Sequence, residues 1–343
     1  MISNIQLLRG LAAFAVAFYH AGYVIPGTVY SDFLAVPIFF VISGFIMTHI
    51  TRVSSDDFLL HRLIRIVPLY WLATLAYAAL VAVIYPVMGK HSDNVVTIST
   101  LLRDLFFIPR LDDDGVLIFP VLSVGWTLNL EMYFYLIFAG ALQISRRAAP
   151  VIVAVVVLIV WFSGYYLPPP SPIGFYAHHY VIYFPLGVAA YYAAQLPIQQ
   201  AKVGALTAFT GIATLIGFAT TAQPIMALIA PPLIVVSAVL LERGGVICRY
   251  RFAMALGASS YALYLCHAFV IGLFREATKL VAGFDMREHL PPALLAVALS
   301  VLAAWIISKW IEVPLLTYLR TNLLRPAKTG SIGTRSAEKS TAT

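Results

Sequence analysis

Charge is what this chain has least of. Only 11% of its 343 residues are Asp, Glu, Lys or Arg, where a soluble domain carries about a quarter. So little charge cannot clothe a core in a water-facing shell, which excludes a soluble globular domain. Cysteine is nearly absent, with Cys248 in a basic loop and Cys266, 18 residues on, inside an apolar run. A helix of that length holds them about 27 Å apart, too far for a disulfide. No P-loop, Rossmann glycine fingerprint or zincin motif is present. The neighbours His178 and His179 stand about 100° apart on a helix, with no Cys or carboxylate cluster beside them. No metal site and no tightly bound cofactor are expected, and the residue pattern shows no internal repeat.

What the chain does have is apolar length. It is 61% hydrophobic, with a mean hydropathy of +0.89, in repeated runs long enough for a hydrocarbon core of about 30 Å. Ten candidate spans are read: 5–25, 33–51, 66–88, 119–144, 149–167, 177–195, 203–221, 223–241, 257–274 and 291–316. The expected fold is an all-α polytopic transmembrane helical bundle. The net charge of +7 sits in short loops and the tail rather than on one amphipathic face, so nucleic acid is not the expected partner. With the N-terminus in the cytoplasm, the inner segments hold 14 Lys and Arg and the outer loops six. That asymmetry is the topology signal of membrane proteins and puts both termini inside. The first apolar run lacks a basic leader and a small-residue cleavage signal, and reads as a retained span. Residues 1–320 form one membrane-embedded domain; 321–343 read as a basic, disordered cytoplasmic tail attracted to anionic lipid. Turns are expected at Asp112–Gly115 and Pro168–Pro170.

Ionisable groups inside spans are costly and face cavities or the bundle interior. Arg9 and His20 share a face of the first span, because eleven residues make three turns plus roughly 20°, about 16 Å along the axis. A guanidinium there can hold a phosphate or carboxylate, and an imidazole can take a proton from a hydroxyl. The plain alternatives are snorkelling of Arg9 to headgroups and simple capping of the outer end by His20. Glu131, mid-span, must be paired or protonated. It can orient His20, pair with Arg9 or another cation, act as a base, or form a structural ion pair. Arg62 and Arg65, at i and i+3, form a basic pair, either a topology anchor or an anion clamp for a phosphate-bearing donor. In the ninth span His267 shares a stripe with Ser260 and Tyr264; a satisfied structural histidine is its plain reading. Cys266 reads as a packing residue, and Ser43-Gly44 as a close-packing point between helices.

These segments together resemble the acyltransferase-3 family of bacterial membrane proteins. The matching pieces are Arg9-Gly10-Leu11 with His20, Phe39-Phe40-Val-Ile-Ser43-Gly44-Phe45, and Arg62-x2-Arg65-Ile-x-Pro68-x-Tyr70-Trp71. To these are added Trp126-Thr-Leu-x-x-Glu131-x-x-Phe134-Tyr135-Leu136, Leu256-Gly257-x-Ser259-x-Tyr261-x-Leu263-Tyr264-Leu265-x-His267 and Glu312-x-Pro314. They run in order over residues 5 to 315. Many members carry Glu-Glu or Glu-Trp where this chain has Glu131-Met132, so only the first acidic position carries over. The length is similar to that of the exopolysaccharide-production members. The resemblance implies O-acylation of a surface or exopolysaccharide glycan from acyl-CoA, commonly acetyl-CoA, in the bacterial inner membrane. On that reading His20 and Glu131 are expected to be catalytic, His20 as general base with Glu131 setting its tautomer and charge, and Arg9, Arg62, Arg65 and Tyr70 to surround the acyl-CoA. Trp126, Asn129, Tyr261 and His267 would line the cavity or meet the carbohydrate acceptor. The rival readings are a transporter or flippase of a lipid-linked glycan and a non-catalytic partner of polysaccharide synthesis.

Overall fold

The computed structural model describes residues 2–29, 34–53, 56–87, 96–111, 117–164, 166 and 172–324. Its helices are α1 (Ser3–Ala21), α2 (Ala35–Val53), α3 (Phe58–Val87), α4 (Ile98–Leu105), α5 (Gly125–Ile144), α6 (Ala149–Ser163) and α7 (Pro172–Tyr176). There follow α8 (Tyr183–Ala193), α9 (Gln200–Thr221), α10 (Pro224–Arg243), α11 (Arg251–Ala258), α12 (Ser260–Ala277), α13 (Leu290–Ile307) and α14 (Val313–Leu323). A two-residue antiparallel pair, Arg110–Leu111 with Leu117–Ile118, is the strand structure among the described residues. The expected turns at 112–115 and 168–170, and the tail from 325, lie outside the described residues; 321–323 belong to α14.

Each of the ten apolar runs contains helix, and the bundle is inverted relative to a water-soluble one. Leu206, Phe209, Ile212 and Ile216, three or four residues apart on α9, are all exposed. Thr74, Asn129, Ser260, His267, Ser300 and Glu312 are buried. A broad apolar exterior over a mostly apolar interior that encloses these polar groups is unsuited to water and suited to hydrocarbon, where polar groups must find partners inside the protein. Interior hydroxyls do so within their own helices: Thr48 donates to the Gly44 carbonyl at 2.8 Å and Ser300 to that of Ala296 at 2.8 Å. Among the described residues, five helices are by length and composition able to cross a bilayer, or six if α11 and α12, bent by 73°, count as one span.

Several boundaries differ from the sequence reading for physical reasons. Helix α3 begins at Phe58, not at 66, because the basic stretch continues the helix outward and brings Arg62 and Arg65 into it. The ninth span begins at Ser260, since α11 turns away at Ser259. A 3-10 turn, His179–Ile182, precedes α8. Between α13 and α14 the helix widens into a π turn over Ser308–Glu312.

Helix α1 is the axis, packing against α2, α10, α11, α12 and α13. Its start is anchored by Glu242, whose carboxylate accepts from the Ser3 and Asn4 amides at 3.0 and 2.7 Å, where the helix dipole favours negative charge. Basic residues from a loop and from the last turn of α10 close other helix ends. Arg146 donates to the Thr51 and Arg52 carbonyls at 2.6 and 2.9 Å, and Arg243 to the Ala194 carbonyl.

Two glycine crossings set the helices around the interior. A Cβ on Gly44 would stand 2.2 Å from the Phe184 carbonyl oxygen, and one on Gly257 2.1 Å from that of Gln6. Backbone faces backbone there, so neither neighbour can yield. Gly44→Ala is therefore expected to destabilise the protein by about 1–3 kcal/mol, read as a lower thermal unfolding midpoint in detergent. Gly140→Ala, with nothing within 4 Å, should be neutral or stabilising by up to about 1 kcal/mol; equal losses at both positions would contradict the packing argument.

Candidate active site

An elongated cavity of about 410 Å³ lies between α1, α2, α3, α5 and α12. It follows α2 from Val36 to Ile50, fourteen residues or about 21 Å of helix. Most of its wall is apolar, with Phe39, Phe40, Ile46 and Met47 among the lining residues. The charged exceptions come from α1, α3 and α5. Arg9, Arg62, Arg65 and Glu131 all line it, so three segments distant in sequence, on α1, α3 and α5, come to one space.

Glu131 is held by two hydroxyls: Ser43 donates to its Oε1 at 2.8 Å, and Tyr135, one turn on, donates to the same oxygen. Arg62 lies against the Tyr135 hydroxyl. Arg9 is within electrostatic reach of Arg65, Glu131, Tyr135 and Glu312. Arg65 stands 3.9 Å from Glu312, and among the described residues no closer guanidinium–carboxylate pair forms in the cluster. Three guanidiniums therefore share two carboxylates loosely, and all three residues line the cavity. Such a cluster suits a multiply charged oxyanion, which the planar guanidinium binds through paired N–H groups.

At its other end the cavity closes on Thr127 and Tyr264. Their hydroxyls meet at 2.5 Å, one donating to the other, and both oxygens lie within hydrogen-bond distance of the Val124 carbonyl, at 3.1 and 3.0 Å. Phe39 packs edge-on against Tyr264, ring centroids 6.0 Å apart. Behind Tyr264, at 6.0 Å, lies the His267 ring, and His20 is 5.0 Å beyond that. His20 Nδ1 is 2.9 Å from the Val16 carbonyl, and His267 Nδ1 is 3.0 Å from that of Leu263. A carbonyl can only accept, so Nδ1 carries the proton in each neutral ring and Nε2 offers a lone pair. His267 Nε2 is buried and has no hydrogen-bond partner among the described residues, whereas His20 is exposed. The Val16 carbonyl thus fixes the His20 tautomer, while Glu131, on Ser43 midway along the α2 wall, lies one helical turn from Thr127.

Of the other sequence-selected residues, Tyr261 lies on the cavity and Tyr70, Trp126 and Asn129 lie around it. Tyr261 lines it and donates to the Ile66 carbonyl at 2.8 Å. Tyr70 is fully buried between α3 and α4, its hydroxyl on the Asp104 carbonyl at 3.1 Å and its ring stacked on Phe107. Trp126 stacks on Tyr180 and meets His178. Asn129 is buried, with Oδ1 unpartnered among the described residues. Sequence reasoning did not select Ser43, Thr127, Tyr135 or Glu312 for the site. Tyr135 had a signal, being four residues from Glu131 and so on the same helix face. Ser43 had none, because its contact to Glu131 spans 88 positions.

The profile of the family described as an acyltransferase domain, acyltransferase-3, matches residues 2–309. The chain is 31% identical over 292 residues, 82% of this chain and 88% of the relative, to the exopolysaccharide production protein ExoZ of Rhizobium meliloti (strain 1021). No solved structure matches. Ser43→Ala is expected to cost about 1.5–3 kcal/mol, the worth of a hydrogen bond to a charged group, measured by thermal unfolding. An unchanged midpoint would mean that Ser43 does not hold the carboxylate.

Proposed function

The chain belongs to the acyltransferase-3 family, and from that premise we propose that it transfers an acyl group from acyl-CoA to a hydroxyl of a surface or exopolysaccharide glycan. The enzyme class follows from the family; the glycan is suggested by the printed name of the relative. Acetyl-CoA is the proposed donor. The observation that carries the reading is the long cavity with three arginines at one end and a histidine pair beyond the other.

In this reading the arginine end opens to the cytosol. The count of 14 inner against six outer Lys and Arg supports that orientation, with ten spans in the inner membrane and both termini cytoplasmic. Arg9, Arg62 and Arg65 hold the donor's phosphates. The pantetheine arm runs along the apolar wall of α2 and carries the thioester past Tyr264 to the pair of His267 and His20. Glu131, restrained by Ser43 and Tyr135, keeps the guanidiniums charged and apart.

His20 Nε2 takes the proton as the acceptor oxygen attacks the thioester carbon. The C–S bond then breaks, and the imidazolium returns the proton to the departing thiolate. No covalent enzyme intermediate is required, and Cys266, buried and in contact with the Ser300 carbonyl at 3.8 Å, plays no part. Trp126, Asn129, Tyr261 and His267 are placed on the acceptor side or along the cavity, and Tyr70 supports the outer wall.

The test uses labelled acetyl-CoA, the purified protein and extracted glycan. Wild type should label the glycan, while His20→Ala should lose about 10²–10⁴ in rate at equal abundance and unchanged donor affinity. Full activity in His20→Ala would remove it as the base, and absence of transfer by wild type from any acyl-CoA would defeat the donor assignment.

A further inference from the structure

Glu312 is a carboxylate that the mechanism above does not use. It is 2% exposed, and its Oε2 has no hydrogen-bond partner among the described residues. A buried carboxylate is expensive unless it is paired, and here the pairing is one-sided, through Oε1 to Arg65 Nη1 at 3.9 Å. Glu312 does not line the cavity, but Arg65 does. The residue closes the π turn Ser308–Glu312. Such a turn inserts extra backbone into a helix, re-aims the side chains around it and recurs at functional sites. Helix α14, which follows directly, packs against α3, the helix that carries Arg65.

We propose that Glu312 is a positioning residue for donor binding: from behind the cavity wall it holds Arg65 in the orientation that meets a phosphate. The inference rests on the donor reading given above. The cluster of Arg9, Arg62 and Arg65 against Glu131 and Glu312 has a formal balance of three positive and two negative charges, leaving one positive. The balance favours an anionic ligand, while the carboxylates limit repulsion among guanidiniums that would otherwise splay apart. Because Arg65 meets Glu312 at 3.9 Å rather than through a tight two-point pair, its remaining N–H donors stay available to the ligand.

The experiment compares wild type, Glu312→Gln, Arg65→Ala and the double variant. It measures coenzyme A binding at equilibrium and the kinetics with acetyl-CoA and with its analogue lacking the 3′-phosphate. Glu312→Gln should raise KM for acetyl-CoA about tenfold, a coupling typical of residues in contact, with kcat within about twofold. It should also narrow the preference for the phosphorylated donor. In the Arg65→Ala background Glu312→Gln should add little. Glu312→Asp, which restores the charge on a shorter arm, should recover part of the loss and serves as a second probe if Glu312→Gln is poorly folded. Independent, multiplying effects of the two substitutions, or a fall in kcat at constant KM, would overturn the assignment. If wild type fails to bind coenzyme A the donor reading itself falls; if wild type binds and Glu312→Gln binds equally well, only the role of Glu312 falls.

Discussion

Three guanidiniums inside an apolar bundle are the constraint on which the rest of this structure depends. Arg9, Arg62 and Arg65 cannot be solvated by hydrocarbon, so the chain supplies a cavity for them to face and two carboxylates to share. Glu131 arrives on α5 with Ser43 and Tyr135 as its restraints, and Glu312 on the π turn after α13. None of these residues is near another partner in sequence except Tyr135. The bundle must therefore be assembled before the charges can be satisfied, and the charges in turn reward the one assembly that brings them together.

Close helix approach makes that assembly possible. Gly10 adjoins Arg9 and meets Gly257, while Gly44 adjoins Ser43 and meets Gly187. Each crossing sits one residue from a site residue, so a side chain that spread the helices would also move a guanidinium or the hydroxyl on Glu131. The opposite end is built differently. The histidine pair depends on carbonyls of its own helices for tautomer and on ring contacts for placement. One end of the cavity is thus electrostatic and assembled from many elements. The other is aromatic and largely local, a division that matches binding of an anion at one end and proton transfer at the other.

Much of this was legible in the sequence because apolar length and rare charge are strong signals. The helical character of all ten runs followed from hydropathy, and the common face of Arg9 and His20 from helical periodicity. Arg9, Arg62, Arg65, Glu131 and Tyr261 stood out and do line one cavity. What could not be read was depth and partnership. Tyr70 carries a polar tip in a matching motif, yet it faces α4, because position along a helix fixes a face only once the neighbouring helices are known. The tilt of α11 against α12, the π turn at Glu312 and the Ser43–Glu131 contact depend on packing between distant segments. No local pattern encodes them.

The most direct measurement is the structure of the protein with a thioether analogue of acetyl-CoA that cannot be cleaved. The account places the phosphates on Arg9, Arg62 and Arg65, the pantetheine arm along α2, and the acyl carbon beside Tyr264 on the side of His267 and His20. An analogue bound elsewhere, or bound with its acyl end at the arginines, would contradict it.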